Sequence, residues 1–142
     1  MNLPDNLGYC YTPLIWAVDS GSKDIVNLLI REGANVNKKS KPWQYSPLQK
    51  AVHKNRFDLV RILLFAGADP NIEHCDGSVP LSEAIRIGYF EIAHCLIIAG
   101  ADVNHVDNNG DTPYYEAYGD KMVELVIDAR LSEVSERLKE NN

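Results

Sequence analysis

The sequence has few cysteines and no long apolar segment. Its three cysteines, Cys10, Cys75 and Cys95, are odd in number and far apart, which favours free thiols in a reducing compartment over a disulfide framework. No stretch approaches the ~20 apolar residues of a membrane helix, and the N-terminus has neither the basic segment nor the apolar run of a secretory signal. We therefore expect a cytoplasmic protein that does not associate with a membrane.

Motifs for catalysis and for metal or cofactor binding are missing as well. The sequence contains no G-x-S-x-G, no P-loop and no H-E-x-x-H, and no glycine cluster that would cradle a phosphate. None of the histidines has a cysteine or carboxylate at the spacing of a zinc site. We expect no enzyme activity, no cofactor and no metal.

What the sequence does contain is a unit that recurs every 33 or 34 residues. Its clearest copy is SPLQKAVHKNRFDLVRILLFAGADPN, residues 46–71, in which Ser46 can cap a helix that begins at Pro47 and Gly67 can end a second helix. Three markers keep one register through four copies: Pro13, Pro47, Pro80 and Pro113; Ala17, Ala51, Ala84 and Ala117; and Asp24, Asp58, Glu91 and Glu124. One copy is too small to bury its own apolar face, so the copies are expected to stack around a shared core.

This pattern resembles the ankyrin repeat. The resemblance covers roughly residues 5–130 and includes the T-P-L-H-x-A-like openings, the paired helices and the exits GANVN, GADPN and GADVN at Gly33, Gly67 and Gly100. It implies an all-α solenoid of four stacked helix-turn-helix repeats with β-turn fingers. It also implies one domain over residues 1–142, with repeats at about 8–37, 42–71, 75–104 and 108–140 and the first and last acting as caps. Members of this family usually bind other macromolecules and rarely catalyse reactions.

Two segments depart from the repeat. The finger at residues 38–45, KKSKPWQY, has one residue more than the others and lacks the D-x-x-G turn; it carries three lysines, Trp43 and Tyr45 instead. Loops that differ from their scaffold often carry function. The last repeat loses its exit motif, and Val123, Ile127, Leu131, Val134 and Leu138 predict one amphipathic helix over about 121–139. That helix either closes the stack or also offers its apolar stripe to a partner.

The histidine of the family's T-P-L-H opening is absent from every copy. Its positions hold Ile15, Gln49, Ser82 and Tyr115. In the family this histidine ties neighbouring repeats through hydrogen bonds. Its absence predicts a stack of modest stability that is held mainly by apolar packing.

The net charge of −6 is unevenly distributed along the chain. Residues 23–61 hold nine Lys and Arg against three acidic residues, whereas residues 62–142 hold five against fifteen. This asymmetry either orients a charged partner or only solvates the surface. Lysines beside Trp and Tyr also suit single-stranded nucleic acid, but the acidic remainder would repel phosphates, so we do not expect nucleic-acid binding.

The candidate contact residues are carried over by position from the family, in which the finger tips and the exposed side of each first helix line a concave groove. They are Tyr11, Trp16, Asp19, Lys39, Trp43, Tyr45, Lys50, His53, Lys54, Asp76, Glu83, Arg86, Asn108, Asn109, Asp111, Glu116 and Tyr118. Trp16 either faces a partner as an anchor or packs on a neighbouring repeat or the N-terminal arm.

We expect a monomeric, non-catalytic module that binds another protein with a basic surface. An inhibitor or an immunity protein for a basic toxin or enzyme fits this pattern. The alternative is a structural adaptor or a self-associating scaffold.

Overall fold

The computed structural model describes residues 10–113, 117 and 119–141, and these residues form helices arranged in pairs. The helices in these ranges are α1 Pro13–Ser20, α2 Lys23–Arg31, α3 Pro47–His53, α4 Phe57–Phe65, α5 Pro80–Ile87, α6 Phe90–Ile98 and α7 Asp120–Glu140. The helix expected to begin the fourth repeat at Pro113 falls largely outside the described residues. None of the described helices is both long and apolar enough to cross a membrane.

The first helix of each pair begins at the predicted proline. Ser46 and Gln49 form a reciprocal cap of α3, in which the Gln49 N–H donates to Ser46 Oγ and the Ser46 N–H donates to Gln49 Oε1, both at 3.1 Å. Thr12 Oγ1 caps α1 by accepting from the Ile15 N–H at 3.2 Å. Val79 offers no side-chain cap to α5, a loss worth ~1 kcal/mol.

The repeats share one core. Small and branched apolar residues recur at the same positions and are almost completely buried: Leu14, Ala17 and Val18 in α1, Leu48, Ala51 and Val52 in α3, and Leu81, Ala84 and Ile85 in α5. The helices α1, α3 and α5 pack against one another more closely than α2, α4 and α6 do. The exposed sides of α1, α3 and α5 and the neighbouring finger loops form the face that we call the groove.

The last asparagine of each exit motif ties its repeat to the next. Asn71 Nδ2 donates to the Gly100 carbonyl at 3.1 Å, and Asn71 Oδ1 accepts from the Asp102 N–H at 2.7 Å. Asn37 makes the equivalent pair of bonds one repeat earlier, at 3.4 Å and 2.8 Å. Asn104 reaches Glu133 in α7 at 2.9 Å. This recurring asparagine therefore contributes polar ties along the stack.

Gln49 provides a further tie between repeats. Its Nε2 donates to the Ile72 carbonyl at 3.1 Å and lies 3.5 Å from the Ser78 carbonyl. The prediction of a stack held mainly by apolar packing therefore needs correction at this repeat. Glutamine is long enough to reach the next finger in place of the missing histidine.

Replacing Asn71 with alanine is expected to lower the free energy of unfolding by about 1–2 kcal/mol, because two inter-repeat hydrogen bonds are lost. Urea unfolding followed by circular dichroism measures the change. Asn109→Ala is the matched control, since the Asn109 side chain is exposed and makes no hydrogen bond with any described residue. Equal losses in the two variants would contradict the proposed role of Asn71.

The long C-terminal helix is present, but it buries a different face from the predicted one. Met122 and Val126 are buried, and Leu125 and Ala129 are half-buried against the core. These four residues are spaced as one helical face, which packs toward α6. Of the predicted stripe, Val123 is half-buried, whereas Ile127, Leu131, Val134 and Leu138 are exposed and face away from the stack. The prediction of a long C-terminal helix that caps the stack is confirmed, but the cap is formed by the face of Met122 and Val126 and not by this stripe.

Candidate functional site

The finger at residues 38–45, which we call the basic finger, is a loop that is closed by hydrogen bonds and carries Trp43. The buried Ser40 closes the loop, because its N–H donates to the Tyr45 carbonyl at 2.8 Å and its Oγ accepts from the Tyr45 N–H at 3.1 Å. Lys41 exchanges two backbone hydrogen bonds with Cys10, at 2.9 Å and 3.3 Å. The loop is therefore held on two sides, while Trp43 remains 50% exposed.

Trp16 lies beside the same end of the groove. Its ring meets the ring of Tyr11 edge to face, with 5.4 Å between the centroids and 70° between the planes. Trp16 is nevertheless 44% exposed. The alternative that Trp16 packs on the N-terminal segment is therefore confirmed for one edge of the ring, and the anchor role of its exposed part stays a prediction.

Lys50 differs from its predicted role as an exposed contact, because it is only 7% exposed. Its ammonium donates to the Tyr11 hydroxyl at 3.0 Å and lies 4.8 Å and 5.0 Å from the ring centroids of Tyr11 and Tyr45. Burial would lower the pKa of Lys50, but the bond to Tyr11 and the Asp19 carboxylate at 3.6 Å outweigh it and raise the pKa. Lys50 therefore holds the two tyrosines in place with its charge retained.

Tyr45 connects the basic finger to the next finger. Its ring lies 4.6 Å from the ring of His74 and 6.3 Å from that of His53, centroid to centroid. Burial, together with the Glu83 carboxylate, raises the pKa of Tyr45, so the phenol stays neutral. His53 Nδ1 in turn lies 2.7 Å from Glu83 Oε1.

The C-terminal end of the groove contains a cavity of about 340 Å³, which we call the acidic recess. It lies between α3, α5, the end of the basic finger and the next two fingers, and its lining residues are Tyr45, Gln49, His74, Asp76, Ser78, Ser82, Glu83, Arg86, Asp107, Asn109 and Asp111. Four carboxylates and one guanidinium belong to this set. The recess is therefore rich in hydrogen-bond acceptors and carries net negative charge.

Both fingers around the acidic recess are held by their own aspartates. Asp76 Oδ1 accepts from the Ser78 N–H at 2.9 Å and the Ser78 hydroxyl at 2.6 Å. Asp107 Oδ1 accepts from the N–H groups of Asn109 and Asp111 at 2.8 Å and 2.9 Å. Burial would raise the pKa of Asp76, but the bonds from Ser78 and from His74 outweigh it and lower the pKa. Both carboxylates thus pre-organise the turns that present them.

The Asp76→Asn variant is expected to lose about 0.5–1 kcal/mol of stability at neutral pH. The lowered pKa of Asp76 means that its contribution is present above the ordinary value of 3.8 and disappears as the pH falls through the folded-state pKa. The stability difference between wild type and variant should therefore shrink on acidification. Urea unfolding of both proteins across the acid range measures it. A difference that stays constant would contradict the assignment.

Most of the predicted contact residues keep an exposed surface. These are Tyr11, Trp16, Asp19, Lys39, Trp43, Tyr45, His53, Lys54, Asp76, Glu83, Arg86, Asn108, Asn109 and Asp111. Glu116 and Tyr118 lie outside the described residues. The structure brings Tyr45, Asp76, Glu83, Arg86, Asn109 and Asp111 together in the acidic recess. Lys39 lies apart, at a cavity near the N-terminal edge.

Five residues of the acidic recess are absent from the candidate contact residues: Gln49, His74, Ser78, Ser82 and Asp107. Asp107 and His74 lie in fingers in which nearby residues were predicted as contacts. Gln49 and Ser82 occupy equivalent positions, 33 residues apart, and differ greatly in length. Comparing side-chain length at equivalent positions would have indicated that space opens beside Ser82.

Comparison with known proteins gives matches over most of the chain. A family model described as ankyrin repeats (3 copies) matches residues 1–74 and 48–135. The ankyrin repeat domain of Bcl-3, described as a unique member of the IkappaB protein family, is a similar solved structure. It has a TM-score of 0.80 and 29% sequence identity, covering 82% of this chain and 51% of that one.

Curated relatives match only a short stretch. Alpha-latrotoxin-Lg1a from Latrodectus geometricus is 50% identical over 48 residues, and alpha-latrotoxin-Lh1a from Latrodectus hasselti is 46% identical over 48 residues. Each match covers 34% of this chain and 3% of the relative. The matched stretch is thus a small part of each relative.

Ankyrin repeats are general protein–protein interaction modules, and their fold is a scaffold that is generally non-enzymatic. The groove described above lies on such a scaffold. Because the family model matches both halves of the sequence, this chain belongs to the ankyrin repeat family.

Proposed function

We propose that this chain binds a partner protein along the groove that runs from the basic finger to the acidic recess. The observation that carries the proposal is the contrast between the two ends. Trp16 and Trp43 expose large aromatic surfaces at one end, and four carboxylates line the recess at the other. Exposed tryptophans are frequent anchors in interfaces, and complementary charge sets orientation and association rate. The partner is expected to offer an apolar pocket and a basic patch.

We further propose that binding inhibits the partner, which is then a basic enzyme or toxin. The acidic recess can cover a basic surface without any chemistry of its own. Arrays of this kind act by occupying a surface, so a partner whose active surface is basic would be blocked while the complex lasts.

A charge reversal with a matched control tests the proposal. Wild type, Asp111→Lys and Glu140→Lys are used to capture partners from the cells that naturally make the chain, and the activity of any captured enzyme is then measured. Both variants change the net charge equally, but Glu140 lies exposed at the end of α7. The proposal expects capture and inhibition to fail with Asp111→Lys alone. Equal behaviour of the two variants would overturn the role of the groove.

A second candidate function is self-association through α7. The observation that favours it is the exposed stripe of Ile127, Leu131, Val134 and Leu138 on one side of that helix. Such a stripe suits pairing with another helix. Sedimentation across a hundredfold range of concentration, roughly 1 to 100 µM, brackets the weak dimers that such a short stripe could form. A constant monomer mass would remove this candidate.

A further inference from the structure

The acidic recess lies where one side chain is much shorter than its counterpart in the preceding repeat. Gln49 fills the position in α3 and reaches the carbonyls of Ile72 and Ser78. Ser82 occupies the same position in α5, 33 residues later, and the equivalent carbonyls belong to His105 and Asp111. The serine side chain is too short to span this distance, so the space that a glutamine would occupy stays open.

Ser82 is buried and lines the recess. The residue is only 4% exposed and lines the cavity. Its hydroxyl makes no hydrogen bond in the part of the chain that the structure describes. Buried polar groups normally have a hydrogen-bond partner, so this hydroxyl is available to a ligand group at the floor of the recess.

The carboxylates around the recess are not neutralised by the chain's own cation. Arg86 lines the same cavity, yet it forms no ion pair with any described residue. The Asp111 carboxylate is exposed and likewise makes no hydrogen bond or ion pair with the described residues. Among the described residues, the Glu83 carboxylate pairs with His53 alone. Charge and acceptor capacity therefore remain available to a cation from outside.

Resting on the groove function proposed above, we infer that the acidic recess binds an arginine side chain of the partner. A guanidinium has five N–H donors in one plane, which suits a lining of carboxylates and a hydroxyl. Its flat face can also pack against ring side chains, and Tyr45 and His74 lie in the wall. An ammonium offers three donors and no flat face, so lysine fits the recess less well.

NMR titration of the ¹⁵N-labelled chain tests the inference with a defined probe, Nα-acetyl-arginine methylamide. The amide signals of Ser82, Glu83 and Asp111 are expected to shift and saturate at millimolar concentrations, since a single side chain binds weakly. The citrulline analogue has the same shape without the charge, and it should bind at least about tenfold more weakly. The lysine analogue should also bind more weakly.

Two variants locate the binding. Ser82→Gln copies the residue found one repeat earlier and should fill the recess, which lowers arginine affinity at least about tenfold while the circular dichroism spectrum and Tm are kept or improved. Asp111→Asn should lower affinity about three- to tenfold. If Ser82→Gln fails to fold, the affinity of Asp111→Asn alone tests the inference, because Asp111 is exposed and its substitution leaves the core intact.

The inference is overturned if the wild type shows no saturable shift, if citrulline or lysine binds as well as arginine, or if the variants that fold bind like the wild type. Failure here can be separated from failure of the groove function. Partner capture that still depends on Asp111, without arginine binding, would leave the groove standing and remove only the arginine assignment. Loss of both would remove both proposals.

Discussion

Replacing Gln49 with alanine is expected to lower the free energy of unfolding by about 3 kcal/mol. Alanine removes the acceptor of the Ser46 N–H and the donor to the Ile72 and Ser78 carbonyls. Gln49 and Ser46 are buried, so the groups left behind have little access to water. The variant therefore loses half of a helix cap and an inter-repeat tie together.

Equilibrium urea unfolding, followed by tryptophan fluorescence and circular dichroism, measures this change. The matched control is Ser82→Ala, at the equivalent position of the next repeat. Because the Ser82 hydroxyl makes no hydrogen bond with the described residues, its removal should change stability by less than about 0.5 kcal/mol. If both variants lose the same stability, the position matters for packing alone, and the polar tie assigned to Gln49 is absent.

Replacing Trp43 with alanine is expected to weaken partner binding about 30-fold, which corresponds to about 2 kcal/mol. The indole is half exposed on a loop that is held by Ser40 and Lys41, so little entropy is lost when it is buried by a partner. Truncation to alanine removes this anchor without disturbing the core. Titration calorimetry with the captured partner gives the affinity ratio.

Phe65→Ala is the control for Trp43→Ala. Phe65 is 97% exposed at the end of α4, which belongs to the outer layer of helices. Both changes remove a large exposed aromatic side chain, so they differ mainly in the face of the molecule that they alter. A greater loss from Phe65→Ala than from Trp43→Ala would place the interface on the outer face.

The repeat architecture could be predicted from the sequence because its signals are local and periodic. Proline at the first helical position, glycine after the second helix and apolar residues at helical spacing each act within a few residues. Helices α1 to α6 begin and end close to those signals. The limits of the four repeats and the single domain stay predictions.

The details of the groove could not be predicted, because they depend on contacts between repeats. The sequence suggests an exposed Lys50, but folding brings the ring of Tyr11, distant in the sequence, and that of Tyr45 to 4.8 Å and 5.0 Å from its ammonium. The α7 stripe satisfies a helical pattern, yet the neighbouring face of Met122 and Val126 packs on the stack. Periodicity identifies an apolar face but does not decide between two such faces on one helix.

The same position of the repeat has two different roles: Gln49 makes a stabilising contact in one copy, and Ser82 borders the proposed binding site in the next. Gln49 bridges the second repeat to the next finger, whereas Ser82 leaves the corresponding bridge unmade and an acidic cavity open beside it. A change that lengthens Ser82 is therefore expected to strengthen the stack and to close the recess. Stability and binding would then change in opposite directions at the same residue.

The most direct test of the groove as the binding face is site-specific photo-cross-linking. A benzophenone amino acid is placed at Trp43 in one variant and at Phe65 in another, and both are expressed in the cells that naturally make the chain. The account predicts a discrete cross-linked partner with the probe at position 43 and none with the probe at position 65. A partner captured at position 65, or equally at both positions, would contradict it.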